Sequence, residues 1–271
     1  MREEQKAAMT RVGFVGAGRM GAPMVRRLAE AGHTVRVLGR TDEKRAEIAE
    51  LGAIPVTELA AVADDADVVV VCVFTDDQVR EICLDSALVV HMKPGAALVL
   101  HTTGSPKTAQ SIAARFDHVE VVDAPVSGGP HDIAAGSVTL FVGGSDAGVA
   151  RARPAIGTYG EPILHAGPTG AGQLVKLVNN TLFAAQIGLV AEGVRLGSRL
   201  GVDEHALLSA LTHGSAQSRV MSMITAAGSA ELFISAVGEF IAKDIAVVRA
   251  TVADLDGDLG ELERLITAVT H

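Results

Sequence analysis

A single lysine in the second half of the chain has the surroundings expected of a proton-transfer group. Lys176 lies in the segment Leu174-Val175-Lys176-Leu177-Val178-Asn179-Asn180, which is apolar apart from this lysine and two asparagines. In a helix, Lys176 and Asn180 share one face because they are four residues apart. The apolar neighbours are expected to desolvate the ammonium group in part, which lowers a lysine pKa toward the range used in general acid–base catalysis. The alternative is a structural lysine whose stem packs on an apolar helix while its charge reaches water.

A second candidate group follows a predicted strand that ends at Asp123. Ser127-Gly128-Gly129 combines a hydroxyl with two glycine N–H groups that no side chain shields. Consecutive N–H groups of this kind form an anion-binding nest, which suits a carboxylate. The alternative is an ordinary turn, in which serine and glycine are common residues.

Both groups need a scaffold, and the N-terminal segment predicts one. Gly16-Ala17-Gly18-Arg19-Met20-Gly21 is a G-x-G-x-x-G motif that follows the apolar strand Val12–Val15 and opens a helix. Gly16 allows a tight turn, Gly18 lets a pyrophosphate approach the backbone, and Gly21 lets helix and strand pack closely. The helix N-terminus then presents N–H groups to the phosphates. We therefore predict a dinucleotide site at residues 16–21; the alternative is a strand-turn-helix unit that binds nothing.

The residues after the second strand, Thr34–Leu38, bear on the choice of dinucleotide. NAD sites usually carry Asp or Glu at this point, whereas NADP sites place an arginine nearby for the 2′-phosphate. The chain has Gly39-Arg40-Thr41, so Arg40 offers a bidentate contact to a phosphate and Thr41 offers a hydroxyl. Asp42 is interpreted as the cap or a first-turn residue of the next helix. The pattern favours NADP, with NAD possible; a solvated arginine at a strand end is the alternative.

The alternation of strand and helix patterns predicts the fold class. It continues to about residue 165, which indicates parallel β-α units, and only helical patterns follow Pro168. We predict an α/β protein with an N-terminal Rossmann-type doubly wound parallel sheet (residues 1–167) and a C-terminal all-α domain built on a long helix (residues 168–271). Ligands of such sheets bind outside the carboxyl ends of the strands. That edge carries the segments 16–21, 74–76, 102–105 and 127–129, and Phe74 is assigned to the cofactor.

Composition and charge exclude several other classes of protein. A net charge of −9 over 271 residues argues against a nucleic-acid-binding protein. The segment Arg2–Lys6 is too polar for a secretion signal, and polar residues interrupt the apolar stretch Leu174–Val194, so no membrane span is expected. No pair of histidines has metal-ligand spacing, and Cys72 and Cys83 do not make a disulfide framework. We expect a cytoplasmic protein without a metal.

A last charged pair, Lys243-Asp244, interrupts the apolar helical pattern at 240–248. From the residues alone, a local ion pair explains it as well as a functional role does.

In order along the chain, these segments resemble the β-hydroxyacid dehydrogenase family, which includes 3-hydroxyisobutyrate dehydrogenase, tartronate semialdehyde reductase and glyoxylate/succinic semialdehyde reductases. The family-like segments, from about Val12 to Asp244, are GFVGAGRMGAPM, VLGRT, HTTGSP, DAPVSGG, GAGQLVKLVNN and AKDIAV. The resemblance implies a C-terminal domain similar to that of 6-phosphogluconate dehydrogenase. It also implies homodimers or homotetramers assembled through the helical domain.

The resemblance further implies a role for each matching residue. Lys176 is expected to exchange the substrate hydroxyl proton, with Asn180 orienting the substrate beside it. Ser127, Gly128 and Gly129 are expected to bind the substrate carboxylate.

The remaining matching residues are implied to serve the cofactor. Thr103 is expected to contact it near the nicotinamide. Lys243 is expected to reach cofactor or substrate from the helical domain, with Asp244 supporting it.

These expectations describe an NAD(P)-dependent oxidoreductase, NADP-preferring, that interconverts a small 3-hydroxy acid and its semialdehyde or keto form. Two alternatives stay open: an NADPH-dependent imine reductase of the same architecture, whose members generally lack a lysine at position 176, and a non-catalytic NADP-binding protein. Two departures from the family pattern leave the substrate open. Pro130-His131-Asp132-Ile133 replaces a small, Gly/Ala-rich continuation after DAPVSGG, and the chain after Asp244 is shorter than usual.

Overall fold

The structure, a computed structural model, describes residues 9–270, so the polar segment Arg2–Lys6 lies outside the described residues. Packing divides the chain into two compact units, one ending at Lys176 and the other starting at Leu177. The domain boundary expected after residue 167 stays a prediction.

The first unit is built on one twisted sheet. Its strands are β1 Arg11–Val15, β2 Thr34–Leu38, β3 Ile54–Val56, β4 Val68–Val71, β5 Ala97–Leu100, β6 Glu120–Asp123, β7 Val126–Ser127, β8 Val138–Gly143 and β9 Gly160–Gly167. Their order is β3-β2-β1-β4-β5-β6-β8-β7, with β9 paired to β8. All pairs from β3 to β6 are parallel, whereas β8 runs antiparallel to β6 and β7. The order β3-β2-β1-β4-β5-β6 is that of a doubly wound Rossmann sheet, which confirms the predicted fold class.

Helices cover both faces of this sheet. They are α1 Gly21–Glu30, α2 Asp42–Glu50, α3 Leu59–Ala63, α4 Asp76–Cys83, α5 Pro106–Arg115, α6 Pro130–Ala134 and α7 Asp146–Ile156. The four valines of β4 show why the sequence there is continuously apolar. All four are fully buried, with Val68 and Val70 in one apolar cluster and Val69 and Val71 in the other. A strand buried on both faces needs no polar alternation.

Two short elements after Asp123 were not predicted by the sequence analysis. β7 has two residues and α6 has five. Neither is long enough to show a hydrophobic period, so the pattern could not reveal them.

The second unit is entirely helical over the residues described. The long helix α8 (Ala171–Arg199) enters it, and α9 Glu204–Leu211, α10 Arg219–Ala227, α11 Ala230–Asp254 and α12 Glu261–Thr270 follow. Ile187, Ile224, Ile245 and Ile266 are among the side chains that form its buried core. The expected all-α part built on a long helix is therefore present.

Helix α8 is long and apolar enough, by length and composition, to cross a membrane. Its best 18-residue window has a mean hydropathy of 1.4, and 56% of that window is buried inside the protein. The helices Arg219–Ala227 and Ala230–Gly238 pass the same test only together, with a bend of 100° between them. The sequence analysis had taken the polar residues of this stretch to exclude a membrane span, but helix α8 passes the test of length and hydropathy. Buried core helices of globular proteins pass the same test, so the result does not establish a span.

Candidate active site

The glycine loop between β1 and α1 has the shape of the predicted phosphate cradle. Gly16 has a φ of +102°, and a Cβ there would lie 2.1 Å from the Cys72 carbonyl oxygen. A Cβ on Gly21 would lie 2.1 Å from the Gly16 carbonyl oxygen, so α1 packs directly on the loop. A Cβ on Gly18 would meet no described heavy atom within 4 Å, so this position faces open space. These residues fit a dinucleotide pyrophosphate at the N-terminus of α1. The other loop residues are buried Ala17, exposed Arg19 and half-buried Met20.

The predicted 2′-phosphate residues lie at the junction of β2 and α2. Arg40 is exposed at the end of β2. Thr41 is the N-cap of α2, because its backbone is extended and its Oγ1 accepts a hydrogen bond from the Lys44 N–H at 3.2 Å. Asp42 takes the other position considered for it, in the first turn. The Thr41 hydroxyl also hydrogen-bonds the Glu43 carboxylate, which lowers the pKa of Glu43, so its hydrogen is available to a phosphate only where Glu43 releases it.

Thr103 lies in a loop after β5 that is held from both sides. The Gln173 side chain donates to the Thr102 carbonyl oxygen at 2.8 Å and accepts from the Gly104 N–H at 3.0 Å. The Thr102 hydroxyl accepts from the Val73 N–H at 3.1 Å and donates to the Val73 carbonyl oxygen at 2.9 Å. Loop 102–104 is therefore connected both to α8 and to the loop after β4.

That loop after β4 carries Phe74, whose ring is largely exposed. Its backbone N–H donates to the Gln78 side chain at 2.9 Å, and the same Gln78 completes a capping box with Thr75 at the start of α4. The Phe74 ring is therefore displayed from a fixed loop at the ligand-binding edge of the sheet.

A buried carboxylate holds the N-terminus of α8. Asp123, at the end of β6, is fully buried and accepts hydrogen bonds from the N–H groups of Gly170 at 2.6 Å and Gln173 at 2.7 Å. Burial raises the pKa of the Asp123 carboxyl, and these N–H bonds oppose the shift. A carboxylate is also favoured by the dipole at a helix N-terminus. Since Lys176 follows Gln173 by one turn, Asp123 fixes the part of α8 that carries the lysine.

Lys176 is buried to 9% exposure, although Leu174, Val175 and Val178 around it are exposed. Most of the Lys176 side chain is therefore withdrawn from solvent, and its catalytic role stays a prediction. Asn180 is also buried, and it lies on the same face of α8 because four residues separate the two.

The chain itself uses part of the anion nest predicted at Ser127-Gly128-Gly129. Ser127 ends β7, and Gly129 is the N-cap of α6. The Gly129 N–H donates to Oδ2 of Asp132 at 2.6 Å, and a Cβ on Gly128 would lie 2.7 Å from the same oxygen. One of the two glycine N–H groups predicted for a substrate carboxylate therefore binds a carboxylate of the protein.

In the second unit, Asp244 contacts Asn180. The Asn180 amide donates to Oδ2 of Asp244 at 2.8 Å, and its oxygen accepts from the Asn179 amide at 3.2 Å. Lys243 precedes Asp244 on α11 and is half-buried. This contact fixes the orientation of Asn180, and the expected role of Asp244 in supporting Lys243 stays a prediction.

A buried histidine lies directly before loop 102–104. Nδ1 of His101 is 2.6 Å from the Ala124 carbonyl oxygen, and Nε2 is 2.8 Å from the Tyr159 hydroxyl. A carbonyl can only accept, so Nδ1 carries the hydrogen and Nε2 accepts from Tyr159. Burial lowers the pKa of His101 to about 4. His101 is therefore neutral near pH 7 and joins the ends of β5 and β6.

Sequence reasoning missed Asp123, Gln173 and His101. One signal for the first two was available in the glycines at the start of α8. A Cβ on Gly172 would lie 2.4 Å from the Phe141 carbonyl oxygen and 2.9 Å from Oδ2 of Asp123. Glycine at this position indicates that the start of the helix packs closely on the sheet, but it does not indicate which acidic residue caps the helix.

Among residues 9–270, no group of three or more His, Cys, Asp or Glu side chains could hold a metal ion.

Comparison with protein-family models covers both units. Residues 11–167 match the NAD binding domain of 6-phosphogluconate dehydrogenase, and residues 170–261 match the NAD-binding domain of NADP-dependent 3-hydroxyisobutyrate dehydrogenase.

Two relatives from Pseudomonas aeruginosa have similar identities. A 3-hydroxyisobutyrate dehydrogenase is 34% identical over 210 residues, which span 76% of this chain and 70% of the relative. An NAD-dependent L-serine dehydrogenase is also 34% identical over 210 residues, with the same coverage of 76% and 70%.

Solved structures share the architecture. The Mycobacterium tuberculosis 3-hydroxyisobutyrate dehydrogenase with L-serine aligns with a TM-score of 0.85 and 27% identity over 96% of this chain and 92% of that one. An imine reductase from Pseudomonas sp. aligns with a TM-score of 0.66 and 19% identity over 96% and 92% of the two chains, which shows the fold alone. The chain belongs to the β-hydroxyacid dehydrogenase family and is an NAD(P)-dependent oxidoreductase of the 3-hydroxyisobutyrate and serine dehydrogenase type.

Proposed function

We propose that the protein is an NADP-preferring dehydrogenase that interconverts a small 3-hydroxy acid and its semialdehyde or keto form, with Lys176 as the general acid–base. The observation that carries this proposal is the burial of Lys176 on a helix start fixed by Asp123. The nicotinamide cofactor supplies the hydride acceptor or donor when it is bound.

The side chains divide the remaining work. Nζ of Lys176 takes the hydroxyl proton when the alcohol is oxidised and returns it when the carbonyl is reduced. Asn180 orients the same substrate hydroxyl, because its hydrogen bonds with Asp244 and Asn179 leave one amide hydrogen available. The Ser127 hydroxyl and the Gly128 N–H bind the substrate carboxylate, and the Gly129 N–H joins them only where Asp132 releases it.

The relatives support this substrate class. 3-Hydroxyisobutyrate and L-serine are both small carboxylates with a hydroxyl on the carbon next but one to the carboxyl group. The two substrates differ in the substituent on carbon 2, which is a methyl group in 3-hydroxyisobutyrate and an ammonium group in L-serine. The preference for NADP is supported separately, by the exposed side chain of Arg40 after β2.

Substitution of Lys176 tests the mechanism. Lys176→Ala is expected to lower kcat by about 10²- to 10⁴-fold, while NADPH binding measured by fluorescence stays within twofold. Lys107→Ala, which removes an exposed lysine from α5, serves as the control and is expected to keep full activity. Unchanged turnover in Lys176→Ala would contradict the role of the lysine.

A substrate panel separates the alternatives. It comprises 3-hydroxyisobutyrate, L-serine, glyoxylate, succinic semialdehyde and a cyclic imine, each with NADP(H) and NAD(H). Turnover of the imine alone would identify an imine reductase. Cofactor binding without turnover of any compound would identify a binding protein.

We also infer assembly into a homodimer or homotetramer through the helical unit. Four exposed apolar residues of α8, Val178, Leu182, Leu189 and Leu196, recur at spacings of four and seven residues and therefore form one stripe. An exposed apolar stripe of this length is typical of an interface. Light scattering after size exclusion is expected to give a dimer or larger, and Leu189→Glu with Leu196→Glu is expected to give a monomer. A monomeric wild type at micromolar concentration would overturn this inference.

A further inference from the structure

One glutamine, Gln173, connects loop 102–104 to the first turns of α8. Gln173 is 3% exposed, and both ends of its side-chain amide are bonded to the backbone on either side of Thr103. Its own backbone N–H is bonded to Asp123. Both the main chain and the side chain of this residue are therefore fixed.

We propose that Gln173 is a positioning residue that holds the Thr103 loop and the first turns of α8 in one arrangement, and thereby sets the turnover rate. This inference rests on the proposed function, because it assigns Lys176 and Thr103 to the reaction. The chain reaches Lys176 one helical turn after Gln173. A shift of Gln173 therefore moves loop 102–104 and Lys176 relative to each other.

The chemistry of the site requires an amide. The Thr102 carbonyl needs a donor and the Gly104 N–H needs an acceptor, and a neutral amide supplies both at once. An ionised glutamate has no donor for Thr102, and a methionine of similar length has neither group. The neighbouring Asp76 carboxylate is already used, because it accepts from the Thr108 hydroxyl at 2.6 Å and from the Ser105 N–H at 3.2 Å.

The test compares Gln173→Met with a matched glutamine on α5. Gln110 also donates to a backbone carbonyl, but it is exposed and its hydrogen bond goes to Thr169 at 3.3 Å rather than to loop 102–104. Gln173→Met is expected to lower kcat at least about tenfold, with a smaller change in the substrate KM, because misplaced groups lose rate more than binding. Amide hydrogen exchange of the peptide 102–108, measured without cofactor, is expected to speed up. Gln110→Met is expected to change neither quantity.

Gln173→Glu adds a readout that a merely structural role would not move. Three titratable groups lie around residue 173. Asp76 lines a small cavity together with Gln173, Asp123 accepts from the residue 173 N–H, and Lys176 follows one turn further along α8. The two aspartates lie near the new carboxylate and raise its pKa, whereas Lys176 lowers it. A protonated glutamic acid can again donate to Thr102, so the ratio of the variant's kcat to that of wild type is expected to rise as the pH falls.

Two results would overturn the inference. One is full kcat per folded molecule in Gln173→Met, even with a lower melting temperature. The other is unchanged exchange of peptide 102–108. An inactive wild type would contradict the proposed function instead, and the exchange measurement would then decide the link made by Gln173 by itself.

Discussion

The Asp132 carboxylate accepts a hydrogen bond from the Gly129 N–H at 2.6 Å, so the chain places its own negative charge on the loop assigned to the substrate carboxylate. The contact caps the short helix α6, and the Asp132 side chain is 21% exposed. A second anion bound at this loop would be repelled by the first. We therefore expect Asp132 to disfavour hydroxy-acid anions relative to substrates with a cationic substituent beside the carboxylate.

Replacing Asp132 by asparagine tests this selection. Asp132→Asn keeps the acceptor for Gly129 but removes the charge, so the KM for 3-hydroxyisobutyrate is expected to fall by roughly an order of magnitude. The KM for L-serine, whose ammonium group offsets the repulsion, is expected to fall less. Asp146→Asn, which removes a fully exposed charge from α7, is the control. Equal changes for both substrates would show that the charge of Asp132 does not select between them.

Arg40 provides the test of cofactor preference. Arg40→Ala is expected to weaken NADPH binding about 30- to 150-fold, the equivalent of one charge-assisted hydrogen bond, and to leave NADH binding within about threefold. Arg151→Ala removes the same charge from an exposed position on α7 and is expected to affect neither cofactor. Isothermal titration with both cofactors measures the difference. Equal losses for NADPH and NADH would remove Arg40 from the 2′-phosphate site.

His101 predicts how stability depends on pH. Its folded-state pKa of about 4 lies below the ordinary value of 6.5, so between these values the unfolded chain binds a proton that the folded protein does not. The stability contributed by neutral His101 is present above pH 6.5 and is lost as the pH falls toward 4, by roughly 3 kcal/mol in all.

Urea unfolding from pH 7.5 to pH 4 measures this loss. His101→Asn is expected to lower stability at pH 7.5 but to show a shallower decline on acidification than wild type. Asp76 and Asp123, whose pKa values burial raises, titrate in the opposite sense in both proteins and cancel in the comparison. Parallel curves would show that His101 does not resist protonation in the folded state.

The glycine loop and the start of α8 show how far the sequence predicts this site. Gly16, Gly18 and Gly21 could be assigned from sequence because each role depends on chain neighbours or on the adjacent strand, and the pattern of the whole unit is local. Asp123 bonds to residues 47 and 50 positions away, and nothing near it in sequence marks it as the cap of α8. The strand order could be expected from the fold class. The hydrogen bonds of Asp123 to the start of α8 could not, because they depend on how the helix packs on the sheet.

Replacing glycine by alanine is expected to change the free energy of unfolding in opposite directions at two positions on α8, Gly193 and Gly172. Alanine is favoured over glycine in a helix by about 1 kcal/mol, and a Cβ on Gly193 would meet no described atom within 4 Å. Gly193→Ala is therefore expected to stabilise the protein by up to about 1 kcal/mol and to keep kcat.

A Cβ on Gly172 would lie 2.4 Å from the Phe141 carbonyl oxygen, so Gly172→Ala is expected to destabilise by about 1–3 kcal/mol. Because the helix start must shift to make room, kcat is also expected to fall at least about tenfold. Chemical denaturation and steady-state kinetics measure both effects, and a stabilised, fully active Gly172→Ala would show that the close packing of α8 on the sheet does not control Lys176.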